Sequence, residues 1–246
     1  MSKNKQKTDD QVEKPWMTIV ISSKKVGSEL EDVVKRYRGT MTCKNVNTKV
    51  FLFNNDGSLG LTKLYGEFLK NESIPGSIMI FCHDDLTFLR EGWDDEVYRL
   101  FKDNPEYGII GVAGSAEFDE RGAWWMYKDI YGVVLHPNGL TRFSPLLKKD
   151  LEEVCVIDGL FMAVNRERIS KNFDPDIKGF HFYDIDFCLA NYLDGKSKIG
   201  VTTNIRIKHD SEGSSALSES WAKNRQQVAL KYKEYFPIKV KKKNGK

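Results

Sequence analysis

The stretch Ser77–Leu89 reads SIMIFCHDDLTFL, and it decides the fold. Ile78 to Cys82 is an unbroken apolar run, the pattern of a strand covered on both faces rather than half-exposed. It stops abruptly at His83, Asp84 and Asp85, after which apolar residues resume. In an open sheet of parallel strands, ligands gather beyond the carboxyl ends of the strands. A polar triplet at such an end is therefore a candidate site. The competing reading is a turn in which Asp84 caps a short following helix.

The flanking segments extend this pattern. WMTIVIS (Trp16–Ser22) reads as a strand, and SELEDVVKRYR as a helix with Ser28 suited to its N-cap. KVFLFNNDGS is a second strand ending in a turn cluster from Asn54 to Ser58. LTKLYGEFLKN and GWDDEVYRLFKDNP read as helices, the latter stopped before Pro105, and YGIIGVAG as a fourth strand. Strands alternating with helices predict an α/β fold with a mainly parallel sheet. Three strand ends carry polar clusters: Ser22-Ser23, Asn54-Asn55-Asp56 and His83-Asp84-Asp85.

Ser115 to Leu151 is less regular, rich in Gly and aromatics including Trp124 and Trp125, and reads as loops and short strands built over the site. EVCVIDGLFMAVNRERI returns to buried β-like sequence. FHFYDIDFCLANYLDG enters a helix near Asp184 and leaves it at Gly195. KIGVTTNIRIKHDSEG reads as two short strands ending in His209-Asp210, and SESWAKNRQQVALKYKEYF as a closing amphipathic helix. With no internal repeat or linker, residues 15–235 read as a single domain. A flexible basic tail (1–14) and a flexible Lys-rich tail (236–246) flank it.

Composition sets the outer bounds. The 246 residues are 40% hydrophobic and 30% charged, as in an ordinary globular protein able to bury a core without disulfides. No apolar run reaches the ~18 residues of a membrane span, and the polar N-terminus lacks the apolar region of a secretory signal, so a cytoplasmic location is expected. Cys43, Cys82, Cys155 and Cys188 form no CxxC pair and read as free thiols. The net charge is +3, yet eight lysines sit at the two ends, so the body between them is mildly acidic. The ends read either as solvated termini that aid solubility or as contacts for nucleic acid or an anionic membrane; the body argues against a basic binding groove.

Three elements carry chemistry. Asp85, with His83 and Asp84 beside it, suits a hard cation; carboxylate oxygens fit magnesium or manganese, and an added imidazole favours manganese. Asp184 and Asp186 open a helix, where carboxylates meet free N–H groups and the positive dipole end. Either they are structural first-turn acids, or one is a general base. His209 follows a strand, where a lone histidine is either structural or a ligand.

Taken in order, these segments resemble the nucleotide-sugar glycosyltransferases of the GT-A (Rossmann-like) fold, family 2, over about Trp16 to Gly213. VFLFNNDGS resembles that family's nucleotide-binding turn, IMIFCHDDLTF its DxD strand, and VIDGLFMAVNRERI its acceptor-side segment. FHFYDIDFCLANYLDG resembles its Glu-Asp-x-Asp helix start, and IKHDS its late histidine. The HDD form looks most like a bacterial and phage branch. The resemblance implies metal-dependent, inverting transfer of a hexosyl or pentosyl group. The donor would be a nucleoside-diphosphate-sugar, a UDP-sugar foremost, and the acceptor a hydroxyl on a glycan or on a modified base in phage DNA.

Carried over residue by residue, Asp184 is the catalytic base, and Asp85, His209 and His83 surround Mn2+ or Mg2+. Ser22, Ser23, Asn55, Asp56 and Asp84 fall to the nucleotide, and Asp158, Gly159, Trp124, Trp125 and Asp186 to the acceptor or donor sugar. The chain departs from the pattern at His83 in place of the first DxD aspartate, at Tyr183 in place of Glu, and at Asn55 in place of the first acid of the turn, which moves the base contact to Asp56. In that role Asp184 needs to be ionised and well aimed rather than high in pKa, and a helix N-terminus favours its ionisation. Two other readings stand beside it: a non-catalytic nucleotide-sugar-binding module, and a nucleic-acid-binding protein using its lysine tails.

Overall fold

The computed structural model describes residues 14–142, 147, 149–211 and 218–241. The chain opens with β1 (Trp16–Ser23), α1 (Gly27–Arg38), β2 (Asn47–Asn54), α2 (Leu61–Lys70) and β3 (Ile78–His83). A short β4 (Leu86–Phe88), α3 (Trp93–Asp103) and β5 (Tyr107–Gly111) follow. The irregular stretch holds β6 (Ala113–Ser115), β7 (Glu117–Phe118), a 3-10 turn (Trp124–Met126), β8 (Ile130–His136) and β9 (Gly139–Arg142). Then come β10 (Glu152–Val154), β11 (Val156–Ile157), β12 (Phe161–Asn165) and α4 (Tyr183–Asp194). β13 (Lys198–Val201), β14 (Ile207–His209), α5 (Glu219–Tyr232) and β15 (Ile238–Lys239) complete the described chain.

The central sheet has seven strands in the order β10-β13-β5-β12-β3-β1-β2. β1, β2, β3, β5 and β13 run in one direction, and β12 and β10 run against them. The mainly parallel sheet expected from the sequence is therefore present, interrupted by β12 between β3 and β5. β3 is buried from Ile78 to Cys82, which explains its unbroken apolar run: helices and loops cover both faces, so no solvent-facing position remains to be polar. β2, at the sheet edge, shows intermediate and exposed positions instead.

The elaboration over the site is a second, six-stranded sheet. Its path is β11-β6-β8-β14-β4, with β9 beside β8. Two of its strands, β4 and β14, come from far apart in the chain and meet antiparallel with Leu86 opposite His209. That pairing, not proximity in sequence, brings the second half of the DxD-like turn to the late histidine.

Several expectations are corrected. Gly27 opens α1 with Val26 at the cap position and no side-chain cap, so Ser28 lies inside the helix. Asp84 caps no helix: the triplet turns directly into β4. The expected tail from residue 236 is anchored at its start, where β15 pairs antiparallel with β7 and Ile238 is buried against Phe118. Residues 1–13 and 242–246, which hold most of the terminal lysines, lie outside the described residues. Cys82, Cys155 and Cys188 are buried and Cys43 half-buried, all as free thiols. Among the described residues, no helix is long and apolar enough to cross a membrane.

Candidate active site

The carboxyl ends of β1, β2 and β3 open onto a cavity of about 890 Å³, walled on the other side by the second sheet and the start of α4. Ser22, Ser23, Asn55, His83, Asp84, Asp85, Trp124, Trp125, Asp158, Gly159, Asp184 and His209 all line it. Sequence separation between them exceeds a hundred residues, so the sheet order brings them together. Asp56 and Asp186 do not reach the cavity.

At its floor, His209 Nε2 lies 3.3 Å from Asp85 Oδ1 and 3.4 Å from His83 Nδ1. These side chains each offer one ligand atom, all within 4.8 Å of one another. Asp85 Oδ1 and His209 Nδ1 are buried with no hydrogen-bond partner among the described residues. Buried polar atoms are rarely left unsatisfied, and a cation among Asp85 Oδ1, His83 Nδ1 and His209 Nε2 would satisfy the Asp85 oxygen. Two imidazoles and one carboxylate make a mixed nitrogen and oxygen donor set able to hold a divalent metal ion.

The charges here are coupled. Burial pushes Asp85 up, but the close approach and charge of His209, with the charge of His83, more than reverse this and hold its pKa below the ordinary value. Burial likewise lowers His209, and the Asp85 carboxylate outweighs it, leaving His209 raised. His83 is lowered, chiefly by burial, with Asp85 opposing.

Asp84 has a different surrounding, although it adjoins Asp85. Ser23 donates its hydroxyl proton to the Asp84 carboxylate, and Lys25 Nζ stands 3.5 Å from it. Arg36 donates to the Asp84 carbonyl at 2.7 Å. The triplet is thus divided: His83 and Asp85 face the cation cluster, and Asp84 is clamped to the loop after β1.

Asp184 lies on the cavity wall. Gly159 N–H donates to its Oδ2 at 2.7 Å, and Ile185 N–H to its Oδ1 at 2.9 Å. It is not the N-cap of α4; that position belongs to Phe182, which is left-handed (φ 63°) with no side-chain cap. A bulky residue there is strained, and packing must hold it. The hold comes from α5, where Asn224 donates to the carbonyls of Lys178 (2.7 Å) and His181 (2.8 Å), while Trp221 packs on Phe182. Burial and the facing Asp158 carboxylate raise the pKa of Asp184 to about 7, offsetting its two backbone hydrogen bonds. The helix N-terminus, expected to favour ionisation of this acid, is outweighed: desolvation is the larger effect.

The remaining positions separate into cavity and scaffold. Asn55 spends its amide on the turn, donating to Ser22 Oγ and the Leu59 carbonyl and accepting from Gly57 and Leu59 N–H. Asp56 is exposed and accepts from Ser58 N–H at 2.9 Å. Asp186, 1% exposed, pairs with Lys231 at 2.7 Å and accepts from the Tyr232 hydroxyl at 3.0 Å, which fastens α5 to α4. Trp124 is buried and Trp125 is 41% exposed, the rings meeting edge-to-face at 5.9 Å.

Other lining residues were not singled out from sequence: Lys24, Lys25, His136, Phe180, His181 and Trp221. All four histidines of the chain line this one cavity. A signal existed for some of them. His136 ends the apolar run IYGVVLH much as His83 ends IMIFCH, and Lys24-Lys25 directly follow the first polar strand end. His181 and Trp221 carried none, because only folding sets them beside the cavity.

The model of a glycosyltransferase-like family matches residues 57–232, most of the chain, and the protein belongs to that family. A protein of Fuscovulum blasticum described as "ATP synthase subunits region ORF 6" is 26% identical over 171 residues, 67% of this chain and 63% of that protein. The chain thus spans less than two thirds of that relative's length.

Among solved structures, GalNAc-T7 with UDP, GalNAc and Mn2+ is similar at TM-score 0.58 and 14% identity, over 90% of this chain and 50% of that one. The mannosyltransferase PcManGT from Pyrobaculum calidifontis, in complex with GDP-Man and Mn2+, is similar at TM-score 0.55 and 9% identity, over 92% and 66%. The catalytic domain of Drosophila β1,4-galactosyltransferase 7, in complex with xylobiose, is similar at TM-score 0.53 and 13% identity, over 86% and 79%. At these identities the likeness speaks for the fold: a mainly parallel sheet flanked by helices, of GT-A type.

Proposed function

We propose that this protein transfers a sugar from a nucleoside-diphosphate-sugar, a UDP-sugar foremost, to an acceptor hydroxyl with inversion at the anomeric carbon. One observation carries the reading. A single cavity of a glycosyltransferase-like chain holds both a cation-ready cluster of His83, Asp85 and His209 and a carboxylate poised near pH 7. The cluster would hold Mn2+ or Mg2+, which when bound stabilises the negative charge that develops on the departing diphosphate.

The chain's own residues supply the rest. Lys24 and Lys25 bring positive charge to the side of the cavity formed by the β1 end. Asp184 takes the proton of the acceptor hydroxyl as that oxygen attacks from the face opposite the leaving group. A base with a pKa near the working pH combines an ionised fraction with adequate proton affinity. Gly159 N–H aims the carboxylate, and the charge of Asp158 adds to burial in raising its pKa. Trp125 offers an apolar face to a sugar ring, with the buried Trp124 packed edge-to-face against it. The hexosyl or pentosyl group, the acceptor, the cytoplasmic setting and membership of an HDD-type branch belong to the same proposal.

The test is a thermal-shift screen of UDP- and GDP-sugars with manganese or magnesium, because a ligand bound only by the native state raises its melting point. The best donor is then carried into a transfer assay with wild type, Asp85→Asn and an EDTA-treated sample. Transfer by wild type that both treatments stop is the expected result. Undiminished transfer in EDTA removes the cation. Donor binding without transfer or hydrolysis favours the non-catalytic binding module.

A further inference from the structure

We propose that the Tyr183 hydroxyl is a positioning group that sets the tautomer of His83, so that His83 Nδ1 presents its lone pair to the cation cluster. The proposal rests on the cation reading above and adds a residue to which no role has yet been given.

The directions of the hydrogen bonds follow from what each atom can do. A phenol has one proton, and a backbone carbonyl can only accept. Tyr183 therefore donates to the Gly159 carbonyl, 2.9 Å away. Its oxygen is also 3.2 Å from His83 Nε2 and, with its proton already spent, can only accept from it. His83 thus carries its proton on Nε2. In the neutral ring the lone pair is then on Nδ1, the atom that lies 3.4 Å from His209 Nε2 in the cluster. A histidine ligand commonly donates its other N–H to a fixed acceptor, which holds the tautomer and the ring plane. Here that acceptor is a phenol.

The surroundings hold the acceptor still. Tyr183 is 3% exposed and meets Tyr65 edge-to-face at 5.7 Å. His83 N–H donates to the Leu160 carbonyl at 3.0 Å, closing a loop of bonds through Gly159. A Cβ at Gly159 would stand 2.2 Å from the Tyr183 oxygen, so the phenol lies directly against that backbone. Gly159 is gripped at both polar groups by consecutive residues: its N–H by Asp184 and its C=O by Tyr183. One peptide segment thereby holds the base and the cation cluster in register.

The experiment uses Tyr183→Phe, which keeps the ring and removes only the hydroxyl. Nitrogen-15 NMR of histidine-labelled, metal-free protein reads the His83 tautomer directly. Manganese chloride titrated alone and followed by electron paramagnetic resonance gives the metal Kd, and cooperative melting of the metal-free protein checks the fold. Wild type is expected to show Nε2–H with a bare Nδ1. The variant should show mixed tautomers and a manganese Kd weakened about 10- to 100-fold. A wild-type His83 protonated on Nδ1 overturns the proposal, as does a folded variant whose Kd stays within about twofold of wild type, well short of that range. If the variant does not fold, the wild-type spectrum alone decides. Failure of wild type to bind manganese overturns the cation reading itself, whereas manganese binding with the opposite tautomer overturns this proposal alone.

Discussion

Asp184→Asn separates two consequences of one carboxylate. In the native protein Asp184 has a pKa of about 7, against an ordinary 3.8, because burial and Asp158 oppose its charge. That gap amounts to ~4 kcal/mol at about 1.4 kcal/mol per pH unit. The sign follows from the raised native value. Below the ordinary value both folded and unfolded chains are protonated, and no penalty exists. As pH rises, the unfolded chain ionises first, and native stability falls until the native group ionises near 7. Asparagine carries no such penalty. It keeps one acceptor for Gly159 N–H but loses the acceptor for Ile185 N–H, at a cost of about 1 kcal/mol.

Urea unfolding at about pH 5 and about pH 8.5 should therefore show the advantage of Asp184→Asn over wild type growing by ~3 kcal/mol. Transfer should fall by about 10²- to 10⁴-fold, the usual contribution of a positioned base. In wild type, the transfer rate should rise with pH through about 7 as Asp184 ionises. A stability difference that is flat across the window would refute the raised pKa. Transfer within about tenfold of wild type would remove Asp184 as the base.

Three further outcomes are expected. Gly159→Ala puts a methyl 2.2 Å from the Tyr183 oxygen and 2.9 Å from Asp184 Cβ, so it should cut transfer on the order of 100-fold by misaiming the base; near-normal kcat would show the segment can shift freely. Because the His209 pKa is raised, its proton competes with a cation at low pH; manganese Kd from calorimetry should tighten as pH rises through that raised value, with protons released, and a pH-independent Kd would refute the competition. Lys231→Met leaves the buried Asp186 with only Tyr232 and should destabilise by about 2–4 kcal/mol in urea while leaving donor affinity unchanged; a loss under about 0.5 kcal/mol would show the pair does not hold α5.

How much was legible in the sequence depends on whether the information is local. Ile78 to Cys82 cannot be half-exposed, so the buried strand followed from its side chains alone. The polar residues at its end, with those at the ends of the first two strands, located the cavity by a general rule of parallel sheets. The helix entry near Asp184 and its stop at the left-handed Gly195 were likewise legible in short-range patterns, whereas the left-handed Phe182 at its cap, held by α5, was not.

The tertiary structure decided what depends on partners far along the chain. Asp84 and Asp85 are neighbours of the same type, yet Ser23 and Lys25 take one while His209 faces the other, because β4 pairs with β14. Asp184 and Asp186 share a helical turn, yet one lines the cavity and the other is drawn to Lys231, because their side chains leave the helix in different directions. The pKa of Asp184 is likewise set by burial and by Asp158, neither visible locally. Sequence determines which groups are available and roughly where strands end. Which charge faces which, and how much water remains between them, exists only once distant segments are packed together.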